Sequence, residues 1–433
     1  MRKALAATIA GLILAAGSYG LAGLGDEPAE ETPVVLPTPA PAGRIDELNR
    51  LIGVFEERVA RSDDALNQWT LGSHYLDRAS ITGDVADYQS ARAVLEQAHL
   101  TNAGNPNVDI PLASARLGLH DFSGAITLTR PHLLDPRALA VYGDATLGFG
   151  DIGEARVSYE RLTRLAPEDP AVTVRVASLE WSTGQSRSAV ELAAEAARQA
   201  ADDALAGRAL AFYHAYHGLL LFESGRFDEA LPVLREAVDL DKDFRSPKIE
   251  LAHVLAATGD LGGGIQLLEE VLSFGPDADA AVVLGDFYTM AGDVEGAERS
   301  YRILDEAAAR APEAYRRDVS LFMSNHDRSP ARALELAEAD LLVRHDAGAS
   351  DTLAWALYRN GRFEAARAAS DRALDMGTSD AAAYFHSGMI SLALGEQARG
   401  LSEIETALTM NPFFNALLAE QARSILDGAD PAL

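Results

Sequence analysis

The chain has 433 residues, of which 48% are hydrophobic and 24% charged, a balance that fits a folded globular protein and excludes wholesale disorder. Its formal net charge of -28, from 37 Lys+Arg against 65 Asp+Glu, works against nucleic acid and anionic membrane as electrostatic partners. No cysteine is present, which removes disulfides, thiolate catalysis, Cys-ligated zinc and lipid attachment through an N-terminal Cys.

In chain order, residues 1–25 come first as a targeting segment. Arg2 and Lys3 precede an uncharged stretch from Ala4 to Leu24 rich in Ala, Leu and Gly, and Gly20 with Ala22 suits cleavage after Ala22. The alternative is an uncleaved anchor, because residues 4–24 are just long enough to span a bilayer; the several glycines favour the signal peptide. Either way the remainder is expected to be exported, as a secreted or cell-envelope protein. Residues 26–43 carry Pro28, Pro33, Pro37, Pro39 and Pro41 among acidic residues, which predicts an extended, disordered linker.

Residues 44–64 form a predicted capping helix, with Ile45, Leu48, Leu51, Ile52, Phe55 and Val59 on one face. An internal repeat follows. Gly150 and Gly184 lie 34 residues apart, as do Gly225 and Gly259, and Gly361 and Gly395, while Gly259 and Gly292 are 33 apart. An apolar helical stretch precedes each glycine, and a small residue follows by five. The clearest copies are 217–238, 284–304, 354–374 and 387–408, each with helical periodicity on both sides of a turn. A period near 34 with two helices per unit predicts an all-α solenoid.

These residues resemble the tetratricopeptide repeat (TPR) family, whose pattern places Leu-Gly, an aromatic, a small residue, a second aromatic, Ala and Pro at fixed offsets. In the copy starting at 278 the matching residues are Leu284, Gly285, Tyr288, Ala297, Tyr301, Leu304 and Ala309. In the copy starting at 136 they are Tyr142, Gly143, Thr146, Ala155, Tyr159, Leu162 and Pro167. The resemblance implies a right-handed α-solenoid of about ten repeats over 65–413, starting near 65, 106, 136, 170, 211, 245, 278, 314, 347 and 381. The first unit carries about seven extra residues around 81–88, the second places Pro131 inside its second helix, and the unit at 314 replaces the turn glycine by 326–330. The fourth runs about seven residues long, as if the helices over 186–203 and 204–223 were both extended. Residues 414–433 form a C-terminal capping helix and tail, with Leu417, Leu418, Ala422, Ile425 and Leu426 on one face. The layout is similar to exported bacterial TPR proteins with an AWALYRNGR-like segment (354–362).

No catalytic motif is recognisable, no cofactor is implied, and the reading is of a protein without enzymatic activity. The run at 259–264 is glycine-rich but enters a repeat helix with no strand before it, which suits close helix packing. Asp239, Asp241, Asp243 and Glu250 fit four positions of a calcium loop, but Phe244 stands where that loop requires Gly, so acidic turn residues are the simpler reading. His214 and His217 share a helix face but lack a third ligand, which leaves no metal site.

In TPR arrays the first helix of each repeat lines a concave groove. Carried over by position, the resemblance assigns that groove Trp69, Trp181, Tyr216, His253, Asp286, Phe322, Trp355, Tyr358, Phe385 and Met389. The basic set with which some TPR proteins grip a terminal carboxylate is missing. The implied protein is therefore a monomeric scaffold that holds a protein or peptide partner in an aromatic and apolar groove. The alternative is an envelope metal-handling or enzymatic protein using His214, His217 and His253 in that groove.

Overall fold

A computed structural model describes residues 44–428; residues 1–43, where a targeting segment and a linker are expected, and the last five residues lie outside the described residues. All regular structure among the described residues is helical. Helix α1 (Arg44–Arg61) is followed by helix pairs: α2 (Ala65–Thr82) and α3 (Val85–Asn102), α4 (Pro106–Gly118) and α5 (Phe122–Thr129), α6 (Pro136–Phe149) and α7 (Ile152–Leu165). Then come α8 (Pro170–Ser182) and α9 (Ser186–Asp202), α10 (Arg208–Glu223) and α11 (Phe227–Leu240), α12 (Arg245–Ala257) and α13 (Leu261–Ser273). The last pairs are α14 (Ala278–Ala291) and α15 (Val294–Arg310), α16 (Arg316–Asn325) and α17 (Pro330–Leu341), α18 (Ala347–Arg359) and α19 (Phe363–Asp375), α20 (Ala381–Ala393) and α21 (Gln397–Met410). A short α22 (Leu418–Leu426) closes the described chain.

The acidic composition has a structural use at the helix starts. Asp64, Asp84, Asp121, Asp135, Asp151, Asp260, Asp277, Asp293, Asp346 and Asp380 each stand at an N-cap and accept a backbone N–H that the helix itself cannot satisfy. Each such cap contributes about 1 kcal/mol, and a carboxylate there also complements the positive end of the helix dipole. The turn glycines read from the sequence, including Gly150, Gly184, Gly225 and Gly292, all have positive φ, the left-handed conformation that ends one helix and aims the next. The turn at 326–330 reaches the same geometry without glycine, through Asp327 at φ 53° and Ser329 at φ 42°.

Three local expectations are corrected. The extra residues of the first unit, expected to precede its second helix, instead lengthen α2 and α3, with Gly83 ending one and Asp84 capping the other. Pro131 does not lie inside an α-helix, because α5 stops at Thr129 and Arg130–His132 tightens into a 3-10 turn that needs no N–H from the proline. The C-terminal capping helix starts only at Leu418, and residues 411–417 are ordered but non-helical.

The chain divides into two compact units. One contains the described residues up to Leu179 together with Leu192–Tyr213; the other contains Glu180–Glu191 and the chain from His214 onward. In the first unit α1 covers the start of the repeats: Leu48 and Ile52 are buried, Tyr75 donates to Glu56 at 2.5 Å, and Arg78 donates to Asn49 at 2.6 Å. Its core joins Tyr88, Ile110, Leu117, Phe122 and Val141 from successive pairs. In the second unit Phe385, Met389, Ile404, Phe414, Leu418 and Ile425 form the terminal core, so the non-helical 411–417 segment helps to close the end of that unit.

Candidate functional site

The residues assigned to the groove do not come together in one place. Trp69 belongs to the first unit, where it is partly buried against the Ala91–Leu95–Leu112 cluster. The other nine belong to the second unit. Of the whole set, Trp69 and Tyr358 retain partial exposure; Trp181, Tyr216, His253, Asp286, Phe322, Trp355, Phe385 and Met389 are buried. Accessible side-chain surface is therefore retained at Trp69 and Tyr358 among the residues assigned to the groove.

The buried ones join consecutive first helices. The His253 ring stacks on Phe222 of α10 with centroids 5.4 Å apart and meets Phe287 of α14 edge-on at 5.9 Å. Phe322 packs on Tyr301 at 5.0 Å, while Trp355 Nε1 donates to Asn325 Oδ1 at 2.8 Å. Trp355 is fully buried, stacked on His386 at 4.3 Å and on Tyr358 at 4.8 Å, with the Arg359 guanidinium 4.6 Å from the ring centroid. Phe385 continues to Phe414 at 5.3 Å. Side chains on the first helices thus fasten one repeat to the next, and the large rings contribute through area and ring geometry.

Buried carboxylates lie along the same path. Asp286 accepts the Tyr301 hydroxyl at 2.9 Å and pairs with His326 Nε2 at 2.8 Å. In the first unit Asp144 accepts the Tyr159 hydroxyl at 2.9 Å and the Arg175 Nε at 2.9 Å, with both charged groups almost completely buried. Burial pushes the Asp144 carboxyl up, and Arg175 and Tyr159 oppose that shift. His386 Nδ1 pairs with Asp351 Oδ2 at 3.0 Å, and Asp109 is shared by His99 Nδ1 at 2.7 Å and His132 Nε2 at 2.8 Å. Sequence reasoning missed these pairs. Their signal was available in the Gly-Asp dipeptides 143–144 and 285–286, each followed by a tyrosine fifteen residues after its Asp.

Charged groups also gather at the α14, α16 and α18 starts. Arg317 donates to Asp340 at 3.0 Å and to Asp346 at 2.9 Å. Burial and the neighbouring Asp318 carboxylate raise Asp279 well above the carboxylate range. Burial and Arg317 lower Arg344 to about 10.

The histidines of the alternative reading are dispersed in role. His253 is sandwiched by phenylalanines, and His214 Nδ1 lies 3.5 Å from Glu236. Burial, with His214 beside it, lowers His217 to about 4. Among the described residues no group of three or more His, Asp or Glu side chains could hold a metal ion. The glycine-rich run packs closely: a Cβ on Gly264 would sit 2.9 Å from the Ala252 carbonyl oxygen and 3.0 Å from the Phe287 ring. In the acidic 239–250 segment, Asp241 accepts the Asp243 N–H at 2.9 Å, a turn that leads into α12. No helix among the described residues is long and apolar enough to cross a membrane.

Tandem helix pairs whose first helices are tied by rings and buried carboxylates define an all-helical repeat protein. The chain is similar to the tetratricopeptide repeat family in two stretches, which together span less than half of it. Tetratricopeptide-repeat family models match residues 221–281 and 352–413. The chain is 33% identical over 79 residues to TPR repeat-containing protein MJ0940 of Methanocaldococcus jannaschii, a match covering 18% of this chain and 25% of that relative. Among solved structures it is similar to the human IFIT1 dimer with PPP-AAAA (14% identity, 93% of this chain and 94% of that one, TM-score 0.46). It is also similar to yeast Tom70 (13% identity, 90% and 95%, TM-score 0.36).

Proposed function

We propose that the chain is an exported, non-catalytic scaffold that holds a protein or peptide partner along the first-helix faces of its repeats. The observation that carries this reading is the series of contacts between successive first helices: the His253 ring against Phe222 and Phe287, the Asp286–His326 pair, the Trp355–Asn325 hydrogen bond and the Trp355–Phe385 ring contact, which stiffen them into one track. A stiff track loses little conformational entropy when a partner docks. Tyr358 is a partly exposed ring on that track, and the chain's net charge of -28 suits a partner segment that combines apolar anchors with basic residues. Export rests on Arg2, Lys3 and the uncharged stretch 4–24. The test is recovery of the native protein from the cell envelope with its N-terminus sequenced, and identification of what crosslinks to it. A chain retained in the cytoplasm with residues 1–25 intact would overturn the export reading; capture that is unchanged by Tyr358→Ala would overturn the groove.

A further inference from the structure

In the second unit, two turns on one side of the sequence rest on two turns nearly two hundred residues later. At the first contact the end of α8 meets the α19–α20 turn: a Cβ on Gly377 would lie 2.9 Å from the Thr183 carbonyl oxygen, and one on Gly184 would lie 3.4 Å from the Thr378 nitrogen. At the second, the end of α10 meets the chain leaving α21. Asn411 Nδ2 donates to the Phe222 carbonyl at 3.1 Å, and a Cβ on Gly225 would lie 2.9 Å from the Met410 carbonyl oxygen and 3.2 Å from Pro412 Cδ. Asn411 is fully buried, and its Oδ1 accepts the Phe413 N–H at 2.8 Å.

The two contacts are in phase. Gly184 and Gly225 close the helix turns of consecutive repeats, and Gly377 and Asn411 stand one repeat apart on the other side. Backbone meets backbone at both, because Gly184, Gly225 and Gly377 have no side chain to hold the turns apart and all have positive φ. Nothing covalent joins the two sides, and the chain has no cysteine.

We propose that these two rungs are a reversible clasp that ties the arc of repeats between α10 and α21 and controls access to its inner face. Between the described residues of the two sides, the clasp consists of a side-chain hydrogen bond and close glycine packing, small beside the cores it joins. A net hydrogen bond contributes only about 0.5–1.5 kcal/mol, so local opening is accessible while the helices stay folded. The functional half of the proposal rests on the groove reading above; the clasp itself does not.

The experiment is amide hydrogen exchange on the full chain with Asn411→Asp, which sets a carboxylate against the Phe222 carbonyl, and with Gly225→Ala. With helix content unchanged by circular dichroism, exchange should rise about tenfold at the distant rung, 183–184 and 377–378, as well as at 222–225. Exchange that rises only at the altered rung, or not at all, overturns the clasp. If both variants lose helix content, a Thr183→Cys/Gly377→Cys disulfide decides it: oxidation should slow exchange at 411–414, and no slowing overturns the proposal. Access is read separately with an apolar fluorescent dye, whose binding should rise in the opened variants and fall when the disulfide forms. Unchanged dye binding with coupled exchange removes the control of access and leaves the clasp standing, and failure of partner capture alone bears on the groove.

Discussion

Tyr301 donates its hydroxyl proton to Asp286 Oδ1 at 2.9 Å, and Tyr159 makes the same bond to Asp144 at the same distance in an earlier repeat. Both tyrosines also pack on the glycine that precedes their Asp in sequence, so each carboxylate is clamped from within its own repeat. The partner from the next repeat differs: a neutral-capable imidazole, His326, at Asp286, and a permanent cation, Arg175, at Asp144. That difference predicts unequal costs. Asp144→Ala strands a buried guanidinium and should cost about 3–5 kcal/mol, whereas Tyr301→Phe removes one hydrogen bond and should cost about 1 kcal/mol. Urea unfolding of the two variants measures both, and equal losses would show that Arg175 is rehydrated when its partner is removed.

The same clamp sets opposite signs for one chemical change. A Cβ on Gly143 would sit 2.6 Å from the Tyr159 ring, and one on Gly285 would overlap the Tyr301 ring. Gly285→Ala must push that ring off Asp286 and should destabilise by about 1–3 kcal/mol. Gly53, inside α1, has open space where its Cβ would stand, so Gly53→Ala should stabilise by about 0.5–1 kcal/mol through helix propensity. Thermal melts of the two single variants give the comparison directly.

These results show which features a sequence carries. Repeat phase is a local property: Gly150 or Gly292 ends one helix, an Asp follows to cap the next, and the pairing can be read one unit at a time. Trp355, Phe385 and Tyr216 also read as apolar positions on first helices, but a linear pattern does not say whether such a ring faces a partner or the next repeat. Their burial depends on non-local partners such as His386 and Phe414. Asn411 was hardest of all, because its bond is to a carbonyl 189 residues away and its neighbours look like an ordinary helix exit.

Acid sensitivity should centre on His217. Burial first, then His214, hold its folded-state pKa at about 4, below the unbound value of 6.5. A folded-state pKa below the unfolded one means that the unfolded chain binds the proton more readily. The contribution to stability is therefore complete above pH 6.5 and is lost as pH falls through about 4. His217→Gln has no such proton to bind, so the gap in unfolding midpoint between pH 7 and pH 4.5 should narrow in the variant. An unchanged gap would place the acid sensitivity elsewhere.

The last prediction separates rings that hold the track together from rings that are offered to a partner. Trp355 is fully buried and touches Asn325, His386 and Tyr358, so Trp355→Ala should cost about 3–5 kcal/mol in unfolding free energy, the usual range for deleting a large buried ring. Tyr358 is partly exposed and lies against Trp355 and Phe363 from the edge of that cluster, so Tyr358→Ala should cost markedly less. The order reverses for binding. At a temperature where both variants remain folded, Tyr358→Ala should lose partner affinity while Trp355→Ala, its deficit being internal, should lose little beyond the fraction unfolded. Titration of a crosslink-identified partner against both variants, each corrected for its folded fraction, decides between the two roles: a larger affinity loss for Trp355→Ala would mean that the ladder opens on binding and presents its buried rings.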